Sequence, residues 1–117
     1  MSEKLSFNEY QKQAYDLISE SGRKDMVLNG VLGLTGEAGE CADIVKKVRF
    51  QGHELSKEHL MEELGDVLWY IAETASGLGV SLEEVAQYNL DKLHKRYHGD
   101  HFNSNDSINR EEYKKNK

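Results

Sequence analysis

The chain has 117 residues and a formal net charge of −6, with 21 acidic and 15 basic side chains, one cysteine and no proline. That length makes one domain able to bury one core, and the acidic balance argues against a nucleic-acid polymer as partner, which needs a basic face. A lone cysteine excludes an internal disulfide framework, no apolar run approaches the ~18 residues of a membrane span, and the opening MSEKLSFNEYQ lacks the apolar core of a signal peptide. The expected location is the cytoplasm, away from membranes.

Four helices are expected in chain order. The first covers about 7–20, with Tyr10, Ala14, Leu17 and Ile18 on one stripe, and Gly22 breaks it. The second covers 26–50 without interruption, and QGHELS supplies the next turn. The third starts after Ser56, an N-cap with acidic Glu58 in the first turn, and runs to about residue 76. The stretch GLGVS then leads into the fourth, over about 82–97, where Ser81 and Glu84 have capping-box spacing. From His98 on, the chain is polar with scattered Phe102, Ile108 and Tyr113. The expected division is a domain over 1–102 and, over 103–117, a polar C-terminal arm that is disordered or laid against a partner. No alternating pattern suggests a sheet and no internal repeat is visible. The fold class is therefore all-α, a four-helix bundle with a short polar C-terminal arm, completed by oligomerisation.

A step of 100° per residue places the side chains around each helix. In the second helix, Val27, Val31, Leu34, Ala38, Cys41, Val45 and Val48 make the apolar stripe. Glu37 borders that stripe, Glu40 lies one step further round, and Gly30, Gly33 and Gly36 fall on the carboxylate side, where they are expected to clear room. In the third helix the stripe is Leu60, Leu64, Val67, Leu68, Ile71, Ala75 and Leu78, with Glu63 and Asp66 along its edge. A short turn favours antiparallel packing, which lets the two acidic rims face each other. Acidic pairs on a helix are ordinarily solvated; these two sit at the edges of the two most apolar helices. Converging carboxylates repel unless a cation lies between them, and all-oxygen ligation points to Mg²⁺, with Mn²⁺ as a substitute. Zinc does not fit, since Cys41 lies on the packing stripe and no histidine pair has ligand spacing.

The fourth helix supplies the complement. Asn89 lies within its stripe of Leu82, Val85, Ala86, Leu90, Leu93 and Tyr97, while Lys92 and Arg96 project together from one edge. Two cations beside a metal–carboxylate group suit a polyphosphate.

The segments GEAGE at 36–40, EELGD at 62–66 and NLDKLHKRY at 89–97 resemble the MazG-type nucleoside triphosphate pyrophosphohydrolases. The resemblance covers about residues 7–102, and its signature is E-x-x-E followed, after a spacer, by E-x-x-D. It implies a MazG-like bundle that hydrolyses a (deoxy)nucleoside triphosphate to the monophosphate and pyrophosphate. Glu37, Glu40, Glu63 and Asp66 would hold Mg²⁺, and Lys92 and Arg96 would hold phosphate oxygens. Asn89 and Tyr97 would line the same pocket, and either Glu37 or Glu40 would take the proton of the attacking water. The resemblance also implies a homodimer or a dimer of dimers. Competing readings are the phosphoribosyl-ATP pyrophosphohydrolase activity of the same superfamily and a non-enzymatic helical interaction module.

Other residues have plainer expectations. Trp69 lies nearly opposite the third helix's stripe and suggests a second buried face that a partner chain would cover. Asp43 is expected to pair with Lys47, and His94, His98 and His101 to be solvated.

Overall fold

The computed structural model describes residues 4–110. Five helices follow one another: α1 (Phe7–Asp16), α2 (Met26–Phe50), α3 (Lys57–Gly77), α4 (Leu82–Arg96) and α5 (Ser104–Ile108), with a 3-10 turn at Gly22–Lys24. No strand occurs among the described residues. The all-α class and the four longer helices are as expected. The chain divides after Leu82 into two compact units.

The first helix is shorter than its apolar stripe suggested, because its last carbonyls are taken by other donors. Trp69 Nε1 donates to the Ala14 carbonyl (3.1 Å) and Arg23 Nη2 to that of Tyr15 (2.9 Å), with the Arg23 guanidinium over the Tyr15 ring. Leu17 and Ile18 then close tight i→i−3 bonds instead of continuing the α-helix. Side-chain caps start the helices of the first unit: Ser6 accepts from Glu9 N–H, Asp25 from Leu28 N–H and Ser56 from His59 N–H. At the end of α3, Gly79 turns the chain at φ 74°; Val80 N–H returns to the Ala75 carbonyl and Gly79 N–H to that of Ser76. That is a Schellman termination, which needs a residue at ease in the left-handed region.

Helices α2 and α3 form an antiparallel pair. A Cβ on Gly77 would meet Val27 and Met26, one on Gly30 would meet Thr74 and the Tyr70 carbonyl, and one on Gly33 would strike the Tyr70 ring. Gly30 and Gly33 therefore do not clear room for a ligand; they let α3 approach closely. Gly36 has nothing within 4 Å of where its Cβ would lie. The face of α2 that loses solvent is correspondingly turned from the expected stripe. It comprises Met26, Gly30, Gly33, Leu34, Glu37, Cys41, Ile44 and Val48, whereas Val27, Val31 and Val45 remain exposed.

Helix α1 lies against the opposite side of α3. Ala14, Ala72 and Leu82 form the core there, with Tyr10, Leu68, Trp69 and Ile71 packed on it. Trp69 is thus half-buried against α1 of its own chain. Gln11 ties the start of α4 to this unit, accepting from Leu82 N–H (2.7 Å) and donating to the Val80 carbonyl (3.0 Å) and Ser76 Oγ (3.1 Å). Among the described residues, no large side chain is completely buried.

The second unit holds the rest of α4 and α5. Leu93, Arg96 and Tyr97 are half-buried, while Asn89, expected inside the stripe, is exposed. The polar arm carries a short helix that its composition did not signal. Asn103 caps α5 by accepting from Asp106 N–H, and Asp106 in turn accepts from His98 N–H (3.0 Å) and lies 3.1 Å from His98 Nδ1. These bonds hold the Asp106 carboxyl below its usual range, and His98 is paired where it was expected to be merely solvated. Tyr113 and the other residues after 110 lie outside the described residues.

Candidate active site

The close α2–α3 approach brings the two acidic rims together. Glu37, Glu63 and Asp66 each offer a carboxylate oxygen within 4.8 Å of the others, a group of three among the described residues. Glu37 and Glu63 are half-buried and Asp66 is exposed. Crowding of like charges has a direct consequence for Glu37. A hydrogen bond with Glu63, then desolvation, then the charges of Glu63, Asp66 and Glu40 push it up to about 7. Two carboxylates that close together share a proton because they cannot both ionise cheaply. His59 Nε2 lies 3.7 Å from Glu63 Oε1.

Glu40, the fourth predicted acid, stands apart. It is exposed, outside the group of three, and near enough to Glu37 for its charge to be felt. Asp43 does what its spacing suggested, pairing with Lys47 at 2.8 Å, and that pairing lowers its pKa and raises that of Lys47.

Asp66 also borders a groove of about 360 Å³ between α1 and α3, lined by Leu5, Tyr10, Gln13, Ala14, Leu17, Gly65, Asp66 and Trp69. The Tyr10 phenol is raised by burial and by the charge of Asp66. Sequence spacing did not point to Tyr10 or Gln13 as site residues; only packing of α1 on α3 places them beside a carboxylate. A second missed feature lies along the α2–α3 seam, where Glu73 is 3% exposed and accepts from Asn29 Nδ2 with both oxygens, at 2.8 and 3.0 Å.

The remaining predicted residues belong to the second unit. Asn89 and Lys92 are exposed on α4, Arg96 is half-buried with its guanidinium 6.0 Å from the centre of the Tyr97 ring, and Tyr97 contacts Phe102 at 5.3 Å between ring centres. Asn89, Lys92 and Arg96 share one side of the helix by their spacing.

The sequence matches the MazG nucleotide pyrophosphohydrolase domain over residues 28–100, a span that contains all three clustered carboxylates and the whole of α3 and α4. The chain belongs to the MazG family. That family is one of nucleotide pyrophosphohydrolase domains. Among curated proteins, the Gene 37 protein of Mycobacterium phage L5 is 48% identical over 69 residues, covering 56% of this chain and 60% of that protein. The Bacillus subtilis (strain 168) protein named Uncharacterized protein YvdC is 37% identical over 73 residues, covering 55% of this chain and 69% of that protein. The chain thus spans less than two-thirds of the phage protein's length. No solved structure matches. No helix among the described residues is long and apolar enough to cross a membrane.

Proposed function

We propose that this MazG-family chain cleaves the α–β phosphoanhydride bond of a (deoxy)nucleoside triphosphate in a Mg²⁺-dependent reaction, releasing the monophosphate and pyrophosphate. The observation that carries the reading is the group of Glu37, Glu63 and Asp66, crowded enough to hold a proton near neutral pH. The donor set fits the ion. It offers only oxygen ligands, and the like charges that raise Glu37 are the condition under which a divalent cation is favoured over a proton. Mn²⁺ fits the same donors. When bound, the cation supplies Lewis acidity toward phosphate oxygens and acidifies a coordinated water.

The chain's own residues divide the remaining work. Glu37, Glu63 and Asp66 hold the cation. Glu40 is left as the acceptor of the water's proton, because a carboxylate committed to a metal is a poor base and Glu40 alone of the four stands outside the group. Lys92 and Arg96 neutralise phosphate oxygens, with Asn89 and Tyr97 beside them. The groove beside Asp66 offers the rings of Tyr10 and Trp69 and the Gln13 amide, a combination suited to a flat heteroaromatic base.

A second copy of the chain is the proposed partner. Leu28, Val31 and Leu32 on α2 are 56%, 44% and 64% exposed, and Met61 and Leu64 on α3 are likewise exposed. Leaving such area in water forfeits about 25 cal/mol per Å². The location we propose is the cytoplasm, in keeping with the single cysteine.

The test is pyrophosphate release from a panel of nucleoside triphosphates with and without Mg²⁺. Asp66→Asn is expected to weaken Mn²⁺ binding and turnover together. Glu40→Gln is expected to lower kcat by about 10²-fold or more while leaving Mn²⁺ affinity within about twofold. Full activity in Asp66→Asn would refute the metal assignment, and full activity in Glu40→Gln would refute the base.

A further inference from the structure

Glu73 is the one buried carboxylate among the described residues, at 3% exposure, and the reaction proposed above makes no use of it. Its two oxygens accept from Asn29 Nδ2 at 2.8 and 3.0 Å, across the α2–α3 seam. A buried carboxylate is costly and is kept hydrogen-bonded. Gly22 lies beside the same amide, close enough that a Cβ there would crowd Asn29 Nδ2. Asn29 is therefore tied to α3 by Glu73, with Gly22 leaving room for its amide.

The contacts along the seam run in opposite directions on the two helices. Gly77 meets Val27, Glu73 meets Asn29, Thr74 meets Gly30 and Tyr70 meets Gly33; Glu63 and Asp66 then meet Glu37. Glycine against side chain sets how close the helices come, but it resists sliding along the axis only weakly. A short hydrogen bond from one amide nitrogen to a buried carboxylate, shared between its two oxygens, adds a directional restraint that sliding would break. One residue of slip displaces a helix by about 1.5 Å. A Mg²⁺ site demands oxygens at about 2.0–2.1 Å in near-octahedral array, so a slip of that size would take Glu37 out of a common shell with Glu63 and Asp66. We infer that the Asn29–Glu73 pair is a positioning element that fixes the axial register of α2 against α3 and thereby assembles the carboxylate site about two helical turns away. This inference rests on the metal-binding reading of the site.

The test uses the full chain, with Mn²⁺ as probe and isothermal titration as readout, so that it does not depend on turnover. Asn29→Asp sets carboxylate against carboxylate and is expected to weaken Mn²⁺ binding about tenfold, the lower end of what outer-shell positioning groups contribute to a metal site, with helical circular dichroism retained. The double variant Asn29→Asp/Glu73→Gln reverses donor and acceptor. It is expected to restore the affinity to within about twofold of the parent. If Asn29→Asp does not fold, Asn29→Ala, which deletes the donor without adding charge, is read in the same way. A folded single variant that binds Mn²⁺ like the parent overturns the inference, as does a reversed pair that folds but stays as weak as the single variant. A parent chain that binds no Mn²⁺ is a different result: it removes the metal site itself, and the positioning role with it.

Discussion

The proton on Glu37 gives the sharpest quantitative expectation. Its hydrogen bond to Glu63, with desolvation and the neighbouring acidic charges, holds it up to about 7. A carboxylate must lose its proton to ligate a metal. At pH 6 about nine in ten copies of Glu37 carry that proton, and at pH 8 about one in ten. Apparent Mn²⁺ affinity should therefore be about tenfold lower at pH 6 than at pH 8, and should fall by a further decade for each pH unit below that. Titration at pH 6 in two buffers of different ionisation enthalpy should report release of about 0.9 proton per Mn²⁺ bound, against about 0.1 at pH 8. Glu63→Gln removes both the neighbouring charge and the carboxylate that shares the proton. Glu37 should then ionise closer to the ordinary carboxylate range, so release at pH 6 should nearly vanish although binding is weaker overall. A parent protein with flat affinity between pH 6 and 8 and no proton released at pH 6 would refute the reasoning.

The same group sets the sign of a stability change. The folded chain binds this proton up to about pH 7 while the unfolded chain releases it near the ordinary 4.5. Between those values the native state carries the extra proton, so metal-free stability should fall as pH rises through the window and level off above it. Melting temperatures measured with a chelator present should show that fall, and Glu37→Gln should flatten it; an unchanged slope in the variant would contradict the linkage. Gly33→Ala drives a methyl into the Tyr70 ring and should cost about 1–3 kcal/mol in urea unfolding. Gly36→Ala meets nothing within 4 Å and should gain about 0.5–1 kcal/mol of helix propensity; equal effects at the two positions would disprove the close seam. Leu32→Glu places a charge in the exposed apolar face of α2 and should shift light-scattering mass toward the monomer, whereas an unchanged mass would mean that another face carries the assembly.

The acidic rims were legible because E-x-x-E and E-x-x-D spacing survives translation into a helix: both members of each pair must lie on neighbouring faces whatever the packing. The limits of α3 were legible for the same local reason, since Ser56 and the Gly79 turn act within a few residues, whereas the end of α1 was not, because the remote Trp69 takes its Ala14 carbonyl. The packing face of α2 was not. Periodicity counts apolar area, so it weighted Val27, Val31 and Val45 and treated the glycines as gaps. Close approach depends on volume, and only Gly30 and Gly33 admit Thr74 and the Tyr70 ring. Glu73 was invisible for a related reason, because a single acid two turns beyond Asp66 has no local mark that distinguishes burial from solvation. The contact of Trp69 with α1 was invisible because α1 is remote from it in sequence. These misses share one cause, and it bears on the site. Turning α2 so that Gly30 and Gly33 rather than Val31 and Val45 meet α3 swings Glu37 toward Glu63 and Asp66, and leaves the Val31, Leu32 and Val45 edge outward. The glycines on the packing face of α2 and the carboxylate beside them are therefore two parts of a single rotation. A helix with a larger residue at position 33 would hold α3 away and separate the acids, however well their spacing was kept.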